Sequence, residues 1–467
     1  MSTVTESIAA FAADYRADSP PPAVIAHAKL CILDALGIAL ASHRQPYAAQ
    51  VLGAARSLGE VGGVGESPVF GAPGGLPLRD ALLVNGTLVH GLDFDDTHAA
   101  GSLHPGAPVI PAALAAGEMV GASGADVLAA IIAGYEVTCR VALALPAGEH
   151  YDRGFHPTAT CGAFGAAAAA ARVFGLDADG VEAAMGAVLS HCAGSLQFLV
   201  NGAWTKRSQV GWAACNGLMA ATLVREGFKG PTEALEGKHG FMRAYAPNPT
   251  PERALQDLGT VWELMNTAVK PYPSCRYGHA GIDAALMLRA ANDLRPSEIS
   301  AIKLGLPKSG MLLIGAPAEK KANPQNVVDG QFSGPFVISA ALATGAMGWD
   351  SYQQLNDPTI RGMLGKVTCE FDPEIEAEFP TNMSGKLTIE ARGQVFSQKV
   401  VVPKGEPSNF LSENELRAKF HGLADAVLGA DQAARLADSV LSIHQSNDIA
   451  EMARHSVPPA PVRLAGE

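Results

Sequence analysis

The stretch HGLDFDDTHAAGSLHPG, residues 90–106, sets three aspartates and three histidines into seventeen positions of a chain that is 48% hydrophobic and only 17% charged. Burying such groups costs free energy unless they are paired or used, so their concentration points to a site that handles protons or binds an ion. Three further stretches share this character: GFHPTATCG (154–162), NGAWTKRSQVGWAA (201–214) and KPYPSCRYGHAGIDAAL (270–286). Histidine titrates near neutrality, which makes His98, His104, His156 and His279 candidate acids or bases. A lysine held away from water loses its proton more easily, so Lys206 and Lys270 are candidate proton acceptors if buried. Arg276 offers a planar fork suited to a carboxylate.

Each feature also has a purely structural reading. A lone histidine on an apolar helix face, such as His27 or His191, reads as a hydrogen-bonded core residue. Asp95 and Asp96 read as helix caps or binders of backbone amides, Lys206 and Arg207 as a solvated helix start, and PYPSCRY as a rigid proline turn. DFDD with two histidines also offers oxygen and nitrogen ligands to a metal, and DxDD occurs in some terpene cyclases. Aromatic residues make up only 6% of the chain, poor lining for a carbocation pocket, and no second diphosphate-binding motif appears. Metal dependence is therefore not expected.

The elements that must position these groups are mainly helical up to about residue 267. PAVIAHAKLCILDALGIAL, ADVLAAIIAGYEVTCRVALAL, CGAFGAAAAAARVFG and VGWAACNGLMAATLVREGF keep apolar residues at three- and four-residue spacing. Their many Ala and Gly residues let helix axes approach closely. Proline and glycine break the pattern at 20–22, 71–77 and 248–252. After about 270, EISAIKLGLPK, GKVTCEFDP and SGKLTIEARGQVFSQKVVVPKG alternate and carry β-branched residues, as short strands do, with ARGQ (391–394) as a hairpin turn. SGPFVISAALATGAM and the TIRGMLGKV region read as helices between them, and 411–453 returns to amphipathic helix.

With 467 residues the chain can hold two or three domains. Its net charge of −12 and lack of a basic run argue against a nucleic-acid partner. Seven scattered cysteines without a CxxC pair suit a reducing cytoplasm rather than a disulfide framework. MSTVTESIAAFAADYRADSPP has no basic stretch ahead of an apolar core and does not read as a signal peptide. Residues 183–205 carry no formal charge, but their polar interruptions suggest a buried helix and loop rather than a membrane span.

Taken together, HGLDFDDTH with LHPG, then GFHPTAT, WTKRSQVGWAA, KPYPSCRYGHAGIDAAL and VVDGQFSGPF resemble, in order, the motifs of the MmgE/PrpD family, over roughly residues 5–455. That family includes 2-methylcitrate dehydratase, cis-aconitate decarboxylase and iminodisuccinate epimerase. The resemblance implies a mainly α fold: an all-helical domain from residues 1–268 and 406–467, with a smaller α+β lid, 269–405, inserted before the C-terminal helices. It further implies a cofactor-free active site in the cleft between the domains, a small di- or tricarboxylate substrate, and a homodimer.

By motif, the resemblance assigns Asp93, Thr97 and His104 from the first block, His156 from the second, Lys206 from the third and Lys270 from the fourth. Proton removal beside a carboxylate builds negative charge, which Lys206, Lys270 and Arg276 would stabilise; Thr97, Tyr272, Ser274, Arg276 and His279 are the expected substrate-binding residues. The concrete expectation is a 2-methylcitrate dehydratase-like lyase in which His104 assists loss of the leaving group and Asp93 fixes its imidazole. The alternatives are an epimerase using Lys206 and Tyr151 on opposite faces, a decarboxylase with His104 as proton donor, and a non-catalytic carboxylate-binding protein. Phe336 stands where a tyrosine is frequent, which predicts a missing phenolic donor in the lid. His98 occupies a variable position and carries only a weak assignment.

Overall fold

The computed structural model describes residues 2–15, 20–59, 65–379 and 381–459; the outermost ends of the expected helical domain lie outside that range. The chain forms two compact units, Met1–Ala268 with Glu413–Glu467, and Val269–Ser412. The first is helical. At its centre the Pro157–Val173 helix packs against Gly106–Val120, Gly124–Leu143, Ala178–Leu189 and Thr205–Arg225. Residues Ala166 to Ala171 are fully buried, so the alanine run is a helix covered on all sides, and its short side chains set how near the neighbours come. A Cβ at Gly217 would fall 2.5 Å from Cβ of Ala166, and one at Gly211 would fall 2.5 Å from the Leu83 carbonyl. Helix axes this close require glycine.

Both chain segments build this unit, because the Pro22–Ser42 helix packs against Glu413–Leu428. Pro22–Ser42 is long and apolar enough to cross a membrane by length and composition, but 72% of its most apolar window is buried within the protein. Two short ribbons depart from an all-helical domain. Ser67–Pro68 pairs with Gly75–Leu76, and Thr97–His98 pairs with Thr267–Ala268 in the register Thr97 to Ala268. Two local expectations change. His191 is exposed just past the Ala178–Leu189 helix. The loop after it is not buried either, with Leu199 and Val200 70% and 76% exposed.

The second unit is α+β. Its sheet runs Val367–Phe371, Ile299–Leu306, Gly385–Ala391, Gln394–Val400; the first pair is parallel and the rest antiparallel. Arg392 and Gly393, both with positive φ (54° and 70°), make the two-residue turn of the last hairpin, as ARGQ suggests. The His279–Asn292 helix packs on the last two strands and on the Gly334–Thr344 helix. Residues 406–412, expected with the helical domain, belong to this unit. The Gly405 carbonyl accepts from the Val269 amide at 3.0 Å and Glu406 pairs with Arg276 at 2.5 Å, which ties the stretch back to residues 269–276.

His27 fulfils its core reading, with Nε2 3.1 Å from the Thr267 hydroxyl. Burial pushes its imidazole down from 6.5 to about 4. The unfolded chain then binds more protons than the folded one between those values, so this contribution is intact above pH 6.5 and is lost as pH falls through that window. By pH 5 the loss is about 2 kcal/mol. Urea unfolding midpoints should fall over this range, and His27→Gln should flatten the fall; an unchanged slope in the variant would assign the effect elsewhere.

Candidate active site

In the helical unit, residues 90–106 form a loop between the Leu78–Val89 and Gly106–Val120 helices. Asp93 takes a left-handed backbone conformation, φ 54°, which aspartate tolerates better than most residues. The loop is gripped from two sides. Arg207 Nε donates to the Gly91 carbonyl at 2.9 Å and Lys419 Nζ donates to the Phe94 carbonyl at 3.1 Å. Lys419 also pairs with Asp34 at 2.5 Å, so the C-terminal helices fix the loop's backbone.

On this scaffold the ionisable groups form one cluster. Lys206 Nζ donates to Asp93 Oδ1 at 2.6 Å. His104 lies between two carboxylates, with Nε2 3.8 Å from Asp93 Oδ1 and Nδ1 3.4 Å from Asp95 Oδ2. The same Asp95 oxygen is 2.7 Å from His90 Nδ1. Exposure is graded across the cluster: the side chains of Asp93, Lys206 and His104 are 28%, 19% and 14% accessible, those of Asp95 and His90 2% and 0%. The outer trio is partly open to solvent, and the inner pair is buried. Asp95 is thus the buried carboxylate beside the His104 ring and Asp93 the partly exposed one, and Lys206 pairs with Asp93.

His156 lies beyond His90, ring centroids 5.8 Å apart. Burial, then the nearby His90 and Lys206 charges, hold its imidazole well below the usual histidine range, so it is neutral at neutral pH. Tyr151 is more exposed; its hydroxyl donates to the Ser102 carbonyl at 3.2 Å, and partial burial followed by the Asp93 charge raises its phenol. Thr97 is buried in its ribbon. His98 is structural: it accepts from the Gly101 amide at Nδ1 (3.0 Å), which leaves Nε2–H to donate to Glu263 at 3.0 Å.

Asp96 matches its backbone-binding reading. It accepts from the Gly106 amide at 3.2 Å and from the Tyr135 hydroxyl at 2.5 Å, and burial pushes its carboxyl up to about 8. A Cβ at Gly106 would collide with that hydroxyl and approach the Asp96 oxygens to 2.9 and 3.0 Å. Gly106→Ala should therefore lower stability by about 1–3 kcal/mol, read as a shifted denaturant midpoint; no shift would mean that the helix start yields without cost.

The remaining predicted residues belong to the second unit, and most are engaged there. Lys270 is buried. The Tyr272 hydroxyl donates to Asp283 at 2.5 Å, and His279 Nε2 is 3.2 Å from the carbonyl of buried Ser274. Arg276, expected to hold a substrate carboxylate, donates from one nitrogen, Nη2, to both Glu406 carboxylate oxygens at 2.5 Å. Phe336 is not a lost donor at a ligand surface. It is fully buried and stacked on Tyr352, ring centroids 5.7 Å apart, and it is the Tyr352 hydroxyl that donates, to the Pro273 carbonyl at 2.6 Å. His90 falls within the charged cluster that the sequence picks out, whereas Asp95 was expected only as a cap or amide binder. Gln209, whose Oε1 lies 3.2 Å from His156 Nδ1, was not expected, since a glutamine carries no comparable signal.

Among the described residues His90, Asp95 and His104 also offer three ligand-type atoms within 4.8 Å of one another. The 2.7 Å approach of His90 to Asp95 is that of a proton-bearing hydrogen bond, which fits a hydrogen-bonded cluster better than a shared ion.

The chain is similar over nearly its full length to proteins with a named activity. It is 27% identical to a cis-aconitate decarboxylase-like protein of Aspergillus oryzae, covering 96% of each chain. It is 26% identical to the cis-aconitate decarboxylase of Aspergillus terreus, covering 97% and 95%, and 28% identical to that of Mus musculus, covering 97% and 93%. The family model for the MmgE/PrpD N-terminal domain matches residues 6–254 and that for the C-terminal domain matches residues 272–445. With both domain models matched in order along almost the whole sequence, the chain belongs to the MmgE/PrpD family.

Proposed function

We propose that this protein is a cofactor-independent lyase acting on a small polycarboxylate, and that its reaction is decarboxylation of a cis-aconitate-like unsaturated tricarboxylate. The observation that carries the reading is the cluster in which Lys206 is bonded to Asp93, His90 to Asp95, and His104 stands within 4 Å of both carboxylates. The full-length relatives named as cis-aconitate decarboxylases support the substrate class. In this reaction the bond to one carboxylate breaks, CO2 leaves, and the electron pair spreads through the double bond towards a neighbouring carboxylate. Lys206 stabilises that charge, and His104, placed between the Asp93 and Asp95 carboxylates, delivers the proton that forms the new C–H bond.

Dehydration of a 2-methylcitrate-like hydroxy acid is the second reading. It needs a base as well as an acid, and the neutral His156 beside the site favours it. The Lys206–Asp93 ion pair weighs against Lys206 as the base of an epimerase. The purified protein should release CO2 from cis-aconitate and leave an unsaturated dicarboxylate one carbon shorter. Water loss from 2-methylcitrate without CO2 release would move the assignment to the dehydratase, and turnover of neither acid would overturn both. Chelators should leave the rate unchanged; inactivation that zinc or manganese reverses would make His90, Asp95 and His104 ligands.

We also propose a cytoplasmic homodimer. The seven free cysteines suit that compartment, and exposed Trp212, Met219 and Leu223 follow one face of the Thr205–Arg225 helix, an apolar stripe suited to a second copy. Trp212→Glu should halve the mass seen by light scattering.

A further inference from the structure

We propose that Gln209 is a positioning residue that fixes His156 as the Nδ1–H tautomer, so that Nε2 presents a lone pair to the substrate and His156 serves as the site's proton acceptor. Gln209 Nε2 donates to the Ser195 carbonyl at 2.9 Å. A carbonyl can only accept, so the amide's orientation is forced and its oxygen must face the histidine. That oxygen lies 3.2 Å from His156 Nδ1 and can only accept, so the proton belongs on Nδ1. No hydrogen bond to Nε2 of His156 occurs among the described residues.

The surroundings keep this ring uncharged. His156 precedes the first turn of the Pro157–Val173 helix, whose N-terminal end disfavours a cation. Phe198 packs edge-on at 5.6 Å. Of the charged and titratable groups that bear on the ring, His90 and Lys206 oppose its protonation and Asp93 favours it. His104 stands in the opposite setting, between two carboxylates. The two histidines are thereby sorted into acid and base by their neighbours. Gly194 suits the arrangement, since a Cβ there would fall 2.8 Å from Ala159 Cβ and 3.3 Å from both Gln209 Oε1 and His156 Cβ.

The tautomer stands independently of the proposed reaction; only the use made of the lone pair rests on the polycarboxylate lyase reading, in its second form, the dehydration that needs a base. The test labels the histidine ring nitrogens of the whole protein with 15N and assigns His156 by the signals lost in His156→Gln. Wild type should show a protonated Nδ1 and a bare Nε2 throughout the neutral range. Gln209→Leu should give a tautomer mixture and lower kcat about tenfold or more with KM little changed. Gln209→Glu, whose carboxylate still accepts from Nδ1 and favours the imidazolium, should raise the acid limb of the pH–rate profile by about one unit. A proton on Nε2 in the wild type, or a Gln209→Leu protein with unaltered ring signals, would overturn the proposal. If the wild type turns over neither cis-aconitate nor 2-methylcitrate, the lyase reading fails and the nitrogen signals alone decide on Gln209.

Discussion

Replacing Lys206 by methionine should reduce kcat/KM on cis-aconitate by about 10²–10³-fold, the usual effect of removing one preplaced stabiliser of developing negative charge. The loss has two sources. The ammonium that balances charge spreading into a substrate carboxylate disappears, and the Asp93 carboxylate, 2.6 Å from Nζ in the wild type, is left uncompensated to repel an anionic substrate. Stability should barely change. Both partners are partly exposed, 19% and 28% by side chain, and an ion pair that water still reaches contributes about 0–1 kcal/mol. A thousandfold loss of activity with an intact unfolding midpoint separates a working cation from a structural one. Lys206→Arg should fall between, because a planar fork does not reproduce a point charge. Activity within a few-fold of wild type in the methionine variant would remove Lys206 from the chemistry.

Periodicity makes the helices legible because apolar spacing reports burial, and the fully covered Pro157–Val173 helix is the extreme case, visible as an alanine run that only close packing explains. The hairpin at 391–394 is legible because two consecutive residues must accept positive φ. The site is legible as a cluster, since six ionisable groups within residues 90–106 of a charge-poor chain are too costly to be accidental. Which carboxylate faces which imidazole is not legible. Asp93, Asp95 and Asp96 are neighbours in sequence, yet they meet a lysine, two histidines and a tyrosine with a backbone amide respectively; a turn through positive φ at Asp93 sends them apart. Partners distant in sequence are equally hidden. Arg276 read as an open cation because nothing local points to Glu406, 130 residues away, and Phe336 read as a lost donor because motif position says nothing of its burial against Tyr352.

Asp95→Asn should lower kcat by about 10²–10⁴-fold, because it removes the buried carboxylate that lies against both imidazoles. One oxygen, Asp95 Oδ2, lies 2.7 Å from His90 Nδ1 and 3.4 Å from His104 Nδ1. The carboxylate is hydrogen-bonded to His90 Nδ1, so that ring carries its proton there, while its charge lies beside His104, whose Nε2 turns towards Asp93. An asparagine keeps the shape but replaces one acceptor by an NH2 donor and takes away the negative charge. If the NH2 faces His90, that ring's proton must move to Nε2; whichever way the amide turns, the charge beside His104 is gone. Asp95 is buried and paired with His90, so losing its charge can cost up to about 3–5 kcal/mol of stability, and kcat is therefore compared on protein whose unfolding midpoint has been measured. The acid limb and basic limb of the pH–rate profile should move as well as its height, with Asp95→Glu recovering part of the rate by restoring the charge at a slightly displaced position. An Asp95→Asn protein that retained wild-type kcat and an unmoved profile would show that His104 keeps its orientation without this carboxylate, and the division between an inner pair that orients and an outer trio that reacts would collapse.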